Sequence, residues 1–193
     1  MLSLSKQLYR NVEPYYNGAV ELLRQAQHDE RFILKCPMTA DKILTEAQLP
    51  VTLDAWRAAG DKIVFTNGCF DLLHLGHVDY LEKARALGDR LVVGLNTDAS
   101  VSVLKPGRPI QDETSRARIM AALGFVDAVV FFGEQTPLHL IEQVQPDILV
   151  KGDDYSIDGI VGHELVLNRG GQVLTVPLVA GYSTSRIVEK VRG

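Results

Sequence analysis

The regular alternation of strand-like and helix-like stretches is the feature that most constrains the fold. Five short apolar stretches, rich in β-branched or aromatic residues, predict strands at residues 62–66, 90–96, 128–132, 147–151 and 172–176. Stretches of helical character follow them, at residues 78–87, 113–123, 137–144, 162–168 and 184–191. Such alternation is typical of a parallel sheet covered by helices on both faces. We therefore predict an α/β fold with a sheet of about five strands.

Size and charge exclude several classes of protein. The chain has 193 residues, 46% of them hydrophobic, which is enough for a proper core in about one domain. The net charge is −4 and basic residues form no runs, so no nucleic-acid partner is expected. The N-terminus lacks the apolar core of a signal peptide, and no stretch approaches the ~20 apolar residues of a membrane span. We expect a cytoplasmic protein, with Cys36 and Cys69 as reduced thiols.

The N-terminal part has a different pattern. Apolar residues recur at helical spacing over residues 4–27, with Pro14 as a break, and predict two helical pieces. We divide the chain into an N-terminal helical extension, residues 1–41, and a main domain, residues 42–193. Tyr9, Tyr15 and Tyr16 would suit packing on the core or a subunit interface, and we expect a homodimer or higher homo-oligomer.

Residues 66–77, with the sequence TNGCFDLLHLGH, occupy a turn between the first main strand and a helix. The first N–H groups of a helix lack internal partners and carry partial positive charge, so phosphates bind there. His74 and His77 are three residues apart, and a helix that begins near Leu73 would place both imidazoles on one face. Gly76 keeps the surface between them free, and Gly68 allows a sharp turn. The segment predicts a phosphate site.

Other interpretations of these residues were weighed. Two histidines at this spacing also occur as metal ligands, but a metal hydrolase needs a third ligand, and Asp71 or Asp79 would serve only through a geometry that the spacing does not define. We predict no protein-built metal site. Cys69 is better explained as a small residue in a tight turn than as a nucleophile. The chain has neither a P-loop nor a GxGxxG fingerprint.

Further candidates follow other predicted strands. In open α/β sheets, ligands bind outside the carboxyl ends of the strands, where Asn67, Asn96 and Asp98 lie together with residues 151–154. Lys105 and Arg108 lie in a loop that contains proline and glycine, residues 104–109, which we predict to be a mobile clamp. Further candidates for phosphate contact are at the starts of two helices: Arg116, Arg118, Ser183, Thr184 and Arg186. The alternative for each is an exposed charge or an ordinary helix cap.

These motifs carry a resemblance. Residues 66–77 resemble the His-x-Gly-His signature of the nucleotidyltransferase superfamily, which includes cytidylyltransferases and sugar-phosphate adenylyltransferases. Residues 88–98, 108–110, 146–152 and 181–184 follow in the order of the D-glycero-β-D-manno-heptose 1-phosphate adenylyltransferase family. The resemblance covers roughly residues 42–191 and implies a Rossmann-like architecture.

The resemblance implies that the chain joins ATP and a heptose 1-phosphate to give an ADP-heptose and pyrophosphate. The ADP-heptose would be used to make lipopolysaccharide or another heptose-containing product. Mg²⁺ would enter with ATP and be held mostly by substrate and water. We assign catalysis to His74, His77 and Lys105. Predicted nucleotide-binding residues are Thr66, Asn67, Gly68, Phe70, Gly76, Asn96, Asp98, Lys151, Gly152, Asp153, Ser183 and Thr184. Arg108, Arg116, Arg118 and Arg186 are candidates for the substrate phosphate.

Two departures leave the substrates open. The heptose family has glycine at this position, whereas this chain has Asp153 and resembles glycerol-3-phosphate cytidylyltransferases there. The carboxylate of Asp153 is expected to accept a hydrogen bond from the amino group of the base. The clamp loop is about one residue shorter than is usual. One alternative is therefore a cytidylyltransferase acting on glycerol 3-phosphate or a similar polyol phosphate. Another is a non-catalytic nucleotide-binding regulator.

Overall fold

The computed structural model describes residues 38–192. The helical pieces predicted over residues 4–27 lie outside the described residues, so the N-terminal extension and the homo-oligomer remain predictions. Among the described helices, none is both long and apolar enough to cross a membrane.

Within residues 38–192, six parallel strands form one sheet, which confirms the predicted α/β fold. They are β1 (Ile43–Leu44), β2 (Ile63–Gly68), β3 (Arg90–Asn96), β4 (Ala128–Phe132), β5 (Ile148–Gly152) and β6 (Gln172–Val176). Their order across the sheet is β1-β4-β3-β2-β5-β6. Strand β1 was not predicted. It has only two residues, paired with Val129 and Val130 of β4, and so small a segment shows no period.

In the part of the chain that the structure describes, seven α-helices connect or follow the strands. They are α1 (Gln48–Ala58), α2 (Leu75–Arg85), α3 (Asp98–Leu104), α4 (Glu113–Ala122), α5 (Leu138–Val144), α6 (His163–Asn168) and α7 (Thr184–Arg192). Helix α3 was not predicted, although Thr97 caps it by accepting a hydrogen bond from the N–H of Ser100. Helix α2 begins at Leu75 rather than near Leu73, because His74 has an extended backbone and occupies the N-cap position.

The core lies on both faces of the sheet. Alternate residues of β2 separate into two buried clusters, with Ile63 and Phe65 in one and Val64 in the other. The first cluster includes residues of α1, α5 and α6, and the second includes residues of α2 and α4. A strand buried on both sides is apolar at successive positions, which explains the uninterrupted apolar run in β3.

The strand order defines where a ligand can bind. Strand β2 has β3 on one side and β5 on the other, so the chain reverses its direction across the sheet between β2 and β5. A crevice opens at such a switch point, outside the carboxyl ends of the strands. The loops after β2 and β5 both lead into it.

Candidate active site

A cavity of about 740 Å³ lies at the carboxyl ends of the strands. Ligand pockets typically have volumes of about 300–1,000 Å³. The structure brings twelve of the predicted site residues to its wall: Asn67, Gly68, Phe70, His74, Gly76, His77, Lys105, Arg108, Lys151, Gly152, Ser183 and Thr184. They come from segments far apart in sequence, and it is the parallel sheet that gathers them.

The two histidines form a stacked pair. Their ring centroids are 3.8 Å apart with an interplanar angle of 20°, since His74 caps α2 and His77 lies in its first turn. Gly76 permits this arrangement, because a Cβ atom there would lie 3.1 Å from Nδ1 of His74. Nδ1 of each ring is buried without a hydrogen-bond partner among the described residues. Buried polar atoms are normally paired, so the two nitrogens are unsatisfied hydrogen-bonding groups beside the cavity.

The environment keeps both imidazoles uncharged. Burial lowers the pKa of His77 to about 4, assisted by the positive charge of Lys105 and by repulsion from His74 whenever that ring is protonated. Burial also lowers the pKa of His74. Neutral imidazoles at pH 7 can still donate one N–H each. Fixed positive charge must therefore come from other side chains of the cavity.

The ring of Phe70 packs against the histidine pair. Its backbone has a φ of +42°, a conformation that is rare for an aromatic residue. Its ring meets His77 edge-on at a centroid distance of 5.3 Å. A Cβ atom at position 68 would lie 3.0 Å from this ring, so Gly68 leaves the space that Phe70 occupies.

Lys151 supplies a partly buried charge at the end of β5. Its ammonium donates to the carbonyl of Asn67 at 3.0 Å and lies 5.5 Å from the centroid of the Tyr155 ring. Burial lowers the pKa of Lys151 to about 8, while the carboxylate of Asp154 opposes that shift. Oδ1 of Asn67 is buried without a partner among the described residues. The crevice between β2 and β5 thus holds a cation beside an unused acceptor.

The start of α7 borders the cavity on another side. Ser183 and Thr184 both line it, and Oγ of Ser183 accepts from the N–H of Arg186 at 3.2 Å. The guanidinium of Arg186 donates to the carbonyl of Gly181 and holds the turn before the helix. Arg186 is not part of the cavity wall.

Arg116 is a predicted contact of the substrate phosphate, but the structure places it away from the cavity. Its side chain is fully buried and donates to three backbone carbonyls and one carboxylate, those of Cys69, Asn96, Gln111 and Asp98. The guanidinium joins three loops and is absent from the cavity wall. Arg118 is exposed on α4 and does not line the cavity either.

Three predicted nucleotide ligands are structural. The hydroxyl of Thr66 is buried 2.7 Å from the hydroxyl of Tyr80, which donates to the carbonyl of Val150. The side-chain amide of Asn96 donates to Ser100, and Asp98 pairs with Arg116. Each of these polar groups has a protein partner, and none of the three residues lines the cavity.

Asp153 was expected to contact the base, but it also lies outside the cavity wall. Its N–H donates to the carbonyl of Val176, and its carboxylate accepts from the N–H of Leu178 at 3.2 Å. The neighbouring Asp154 lines the cavity instead. A Cβ atom at Gly152 would lie 2.6 Å from Oδ1 of Asp154, so the glycine admits this carboxylate.

Sequence reasoning missed several residues of the wall. Tyr155, Leu178, Tyr182 and Glu189 all line the cavity, as does Asp154, which was named only within the range 151–154. The ring of Tyr182 is roughly parallel to that of His74, at a centroid distance of 6.4 Å. Tyr182 directly precedes the Ser-Thr pair, and this position was the signal that could have identified it.

Fold and site together define a Rossmann-like nucleotide-binding domain with a histidine pair at the first turn of a helix. A family model described as cytidylyltransferase-like matches residues 65–190, and the chain belongs to this family. It is 58% identical over 153 residues to the bifunctional protein HldE of Magnetococcus marinus, covering 79% of this chain and 31% of that protein. It is 53% identical over 176 residues to the bifunctional protein HldE of Ectopseudomonas mendocina, covering 91% of this chain and 36% of that protein.

A solved structure agrees with this membership. The lipopolysaccharide core biosynthesis protein from Thermoplasma volcanium GSS1 is 33% identical, with a TM-score of 0.51, over 62% of this chain and 98% of that one. The chain spans about a third of the length of the HldE relatives.

Proposed function

We propose that the domain is a nucleotidyltransferase that joins the adenylyl group of ATP to a heptose 1-phosphate, with release of pyrophosphate. The observation that carries the proposal is the stacked pair of His74 and His77, with unpartnered ring nitrogens buried at the start of a helix. The resemblance of the sequence to heptose 1-phosphate adenylyltransferases supports the substrates. Similarity to a lipopolysaccharide core biosynthesis protein supports the same branch of metabolism.

The geometry suits an in-line transfer without a covalent enzyme intermediate. An oxygen of the sugar phosphate attacks the α-phosphorus of ATP, the bond to the bridging oxygen breaks, and that oxygen leaves with pyrophosphate. Both reactants are anionic, so positioning and charge stabilisation supply most of the catalysis. His74 and His77 donate N–H groups to phosphate oxygens as neutral rings. Lys105, Arg108 and Lys151 supply positive charge from the cavity wall.

The cavity is compatible with Mg²⁺ that arrives on the nucleotide. Mg²⁺ keeps several water ligands and commonly needs only phosphate oxygens and one or two carboxylates from the protein. Asp154 and Glu189 line the cavity and would provide those carboxylates. Within residues 38–192, no group of three or more His, Cys, Asp or Glu side chains is arranged to hold a metal ion by itself. When bound, the ion neutralises charge on the triphosphate.

A substrate screen tests the proposal. ATP, CTP, GTP and UTP are each combined with heptose 1-phosphates, other sugar phosphates and glycerol 3-phosphate, and pyrophosphate release is measured. We expect the highest kcat/KM for ATP with a heptose 1-phosphate. Preference for CTP with glycerol 3-phosphate would establish the cytidylyltransferase alternative. If no pair of substrates released pyrophosphate, the remaining alternative would be a non-catalytic nucleotide-binding regulator.

The polyol-phosphate alternative has lost its main support. It depended on Asp153 as the residue that contacts the base, but Asp153 does not line the cavity, and its carboxylate accepts a hydrogen bond from the N–H of Leu178. The acidic residue of this segment that does line the cavity is Asp154.

The lowered pKa of Lys151 predicts how activity depends on pH. Its pKa is about 8, so the ammonium is charged at pH 7 and loses its proton as the pH rises through 8. We expect kcat/KM to fall on the alkaline side with an apparent pKa near 8, because the neutral amine no longer attracts phosphate.

The arginine variant Lys151→Arg separates this cause from others. Arginine stays charged across this range, so any activity that it retains should no longer decline near pH 8. An alkaline decline that persists unchanged in Lys151→Arg would assign the titration to another group. The measurement is kcat/KM against pH for parent and variant.

A further inference from the structure

The loop that carries Lys105 and Arg108 is attached to the His-x-Gly-His segment by one carboxylate. Asp71 is 3% exposed, and its Oδ1 accepts from the N–H of Ile110 at 2.9 Å and from the N–H of Gln111 at 3.0 Å. Oδ2 of Asp71 also accepts from Nε of Arg108. One side chain thus holds three donors of residues 105–111, which we call the cationic loop.

A second buried charge holds the same loop from its other side. Arg116 donates to the carbonyls of Gln111 and Cys69. The N–H of Gln111 is therefore bound to Asp71 and its carbonyl to Arg116. Both contacts connect the cationic loop to the segment that precedes the histidines. These hydrogen bonds attach the cationic loop at residues 108–111 and restrict the part of the predicted mobile clamp that could move.

The contact with Asp71 also orients the charge that faces the substrates. Arg108 lines the cavity with its side chain only 16% exposed. Because Asp71 engages Nε, the two terminal nitrogens of the guanidinium stay available to a phosphate. The N–H of Arg108 donates to the carbonyl of Lys105, so the two cationic residues belong to one turn. Fixing Arg108 therefore also constrains Lys105.

We propose that Asp71 is a positioning residue, which acts through Arg108 to hold the cationic loop in the arrangement that receives the anionic substrates. The inference rests on the proposed function, since it assigns the loop to phosphate binding. Asp71 does not itself contact phosphate, because its carboxylate is negative and its oxygens are occupied by the loop.

The electrostatics agree with a permanently ionised carboxylate. Burial alone would raise the pKa of Asp71, but hydrogen bonds from Gln111, Ile110 and Arg108 outweigh it and leave the pKa below its usual value. The contribution to loop stability is present above the ordinary carboxyl pKa and is lost only as the pH falls through the lowered value. The contact therefore persists at neutral pH.

The variant Asp71→Asn tests the proposal while keeping the size of the side chain. We expect faster hydrogen exchange at the amides of Ile110 and Gln111, by roughly 10-fold or more. We expect kcat/KM for ATP to fall about 10- to 100-fold, mostly through a higher KM, because hydrogen bonds to a charged group are lost. Unchanged exchange at both amides would overturn the proposal.

A matched control is available at the opposite, amino-terminal ends of the strands. Asp127 also accepts a backbone N–H and an arginine Nε, from Leu91 and Arg85, each at 2.8 Å. It directly precedes β4, at the amino ends of the strands. Asp127→Asn should lower the melting temperature while kcat/KM stays within about twofold. If Asp127→Asn reduced kcat/KM as much as Asp71→Asn, the loss would be a general effect of destabilisation.

A double-mutant cycle with Arg108→Gln identifies the route. If Asp71 acts through Arg108, Asp71→Asn should add little to the loss already caused by Arg108→Gln. Fully additive losses would contradict that route. Affinity for the unreactive analogue α,β-methylene-ATP is measured in parallel. If the parent protein releases no pyrophosphate with any pair of nucleotide and sugar phosphate, the proposed function fails. The hydrogen-exchange rates and the affinity for the analogue would still test the role of Asp71 in the cationic loop.

Discussion

Alanine at either histidine of the pair should lower turnover by roughly 10²- to 10³-fold, the scale of losing one well-placed donor to a developing charge. His74 and His77 line the cavity, and Nδ1 of each ring has no hydrogen-bond partner among the described residues, so truncation removes N–H donors and costs the fold only the packing of the rings. Folding should survive. The measurement is kcat for His74→Ala and His77→Ala in saturating ATP and heptose 1-phosphate.

The control is His139→Ala, because His139 is an exposed histidine on α5 outside the cavity wall. Its turnover should match that of the parent. If either variant of the pair keeps more than about a third of parental turnover, the assignment is wrong, since a transition-state donor is worth far more than threefold.

Replacing Arg116 by methionine should reduce the free energy of unfolding by about 3–5 kcal/mol, because three backbone carbonyls lose their donor and each unsatisfied buried group costs about 1–3 kcal/mol. The change removes the donors to the carbonyls of Cys69, Asn96 and Gln111 and leaves the carboxylate of Asp98 unpaired. Urea denaturation, followed by circular dichroism, measures the loss.

Arg118→Met is the matched control, because Arg118 is exposed on the same helix. Surface substitutions of this kind usually stay within about 0.5 kcal/mol. The opposite pattern, with Arg116→Met as stable as the parent but with a greatly raised KM for a phosphate substrate, would restore Arg116 as a ligand.

Strands β2 to β5 were predictable because each is buried on both faces over several successive residues and is therefore apolar there. The run Leu91-Val92-Val93 in β3 needs no knowledge of its neighbours to be recognised. Strand β1 and helix α3 were not recognisable. Two residues show no period, and α3 buries only Ser100 and Val101, so its pattern is too weak to separate it from a loop.

Site residues were predictable where their proximity follows from their spacing in the sequence. They were not predictable where their role depends on whether the fold buries the side chain. His74 and His77 share a helix turn, so their proximity follows from spacing alone. Arg116 has the same sequence signal as an exposed arginine, because its acceptors are carbonyls of loops whose meeting depends on the whole fold. Asp153 and Asp154 differ by one position, and which of them lines the cavity is decided by the pairing of Asp153 with Val176.

Transfer of isotope from ATP tests the central claim most directly. The protein is incubated with heptose 1-phosphate and ATP labelled with ³²P at either the α or the γ position, and the products are separated. The account predicts that α-label appears in an ADP-sugar and γ-label in pyrophosphate, in equal amounts. Release of γ-label as inorganic phosphate, or its appearance on the sugar, would show hydrolysis or kinase chemistry and would contradict the account.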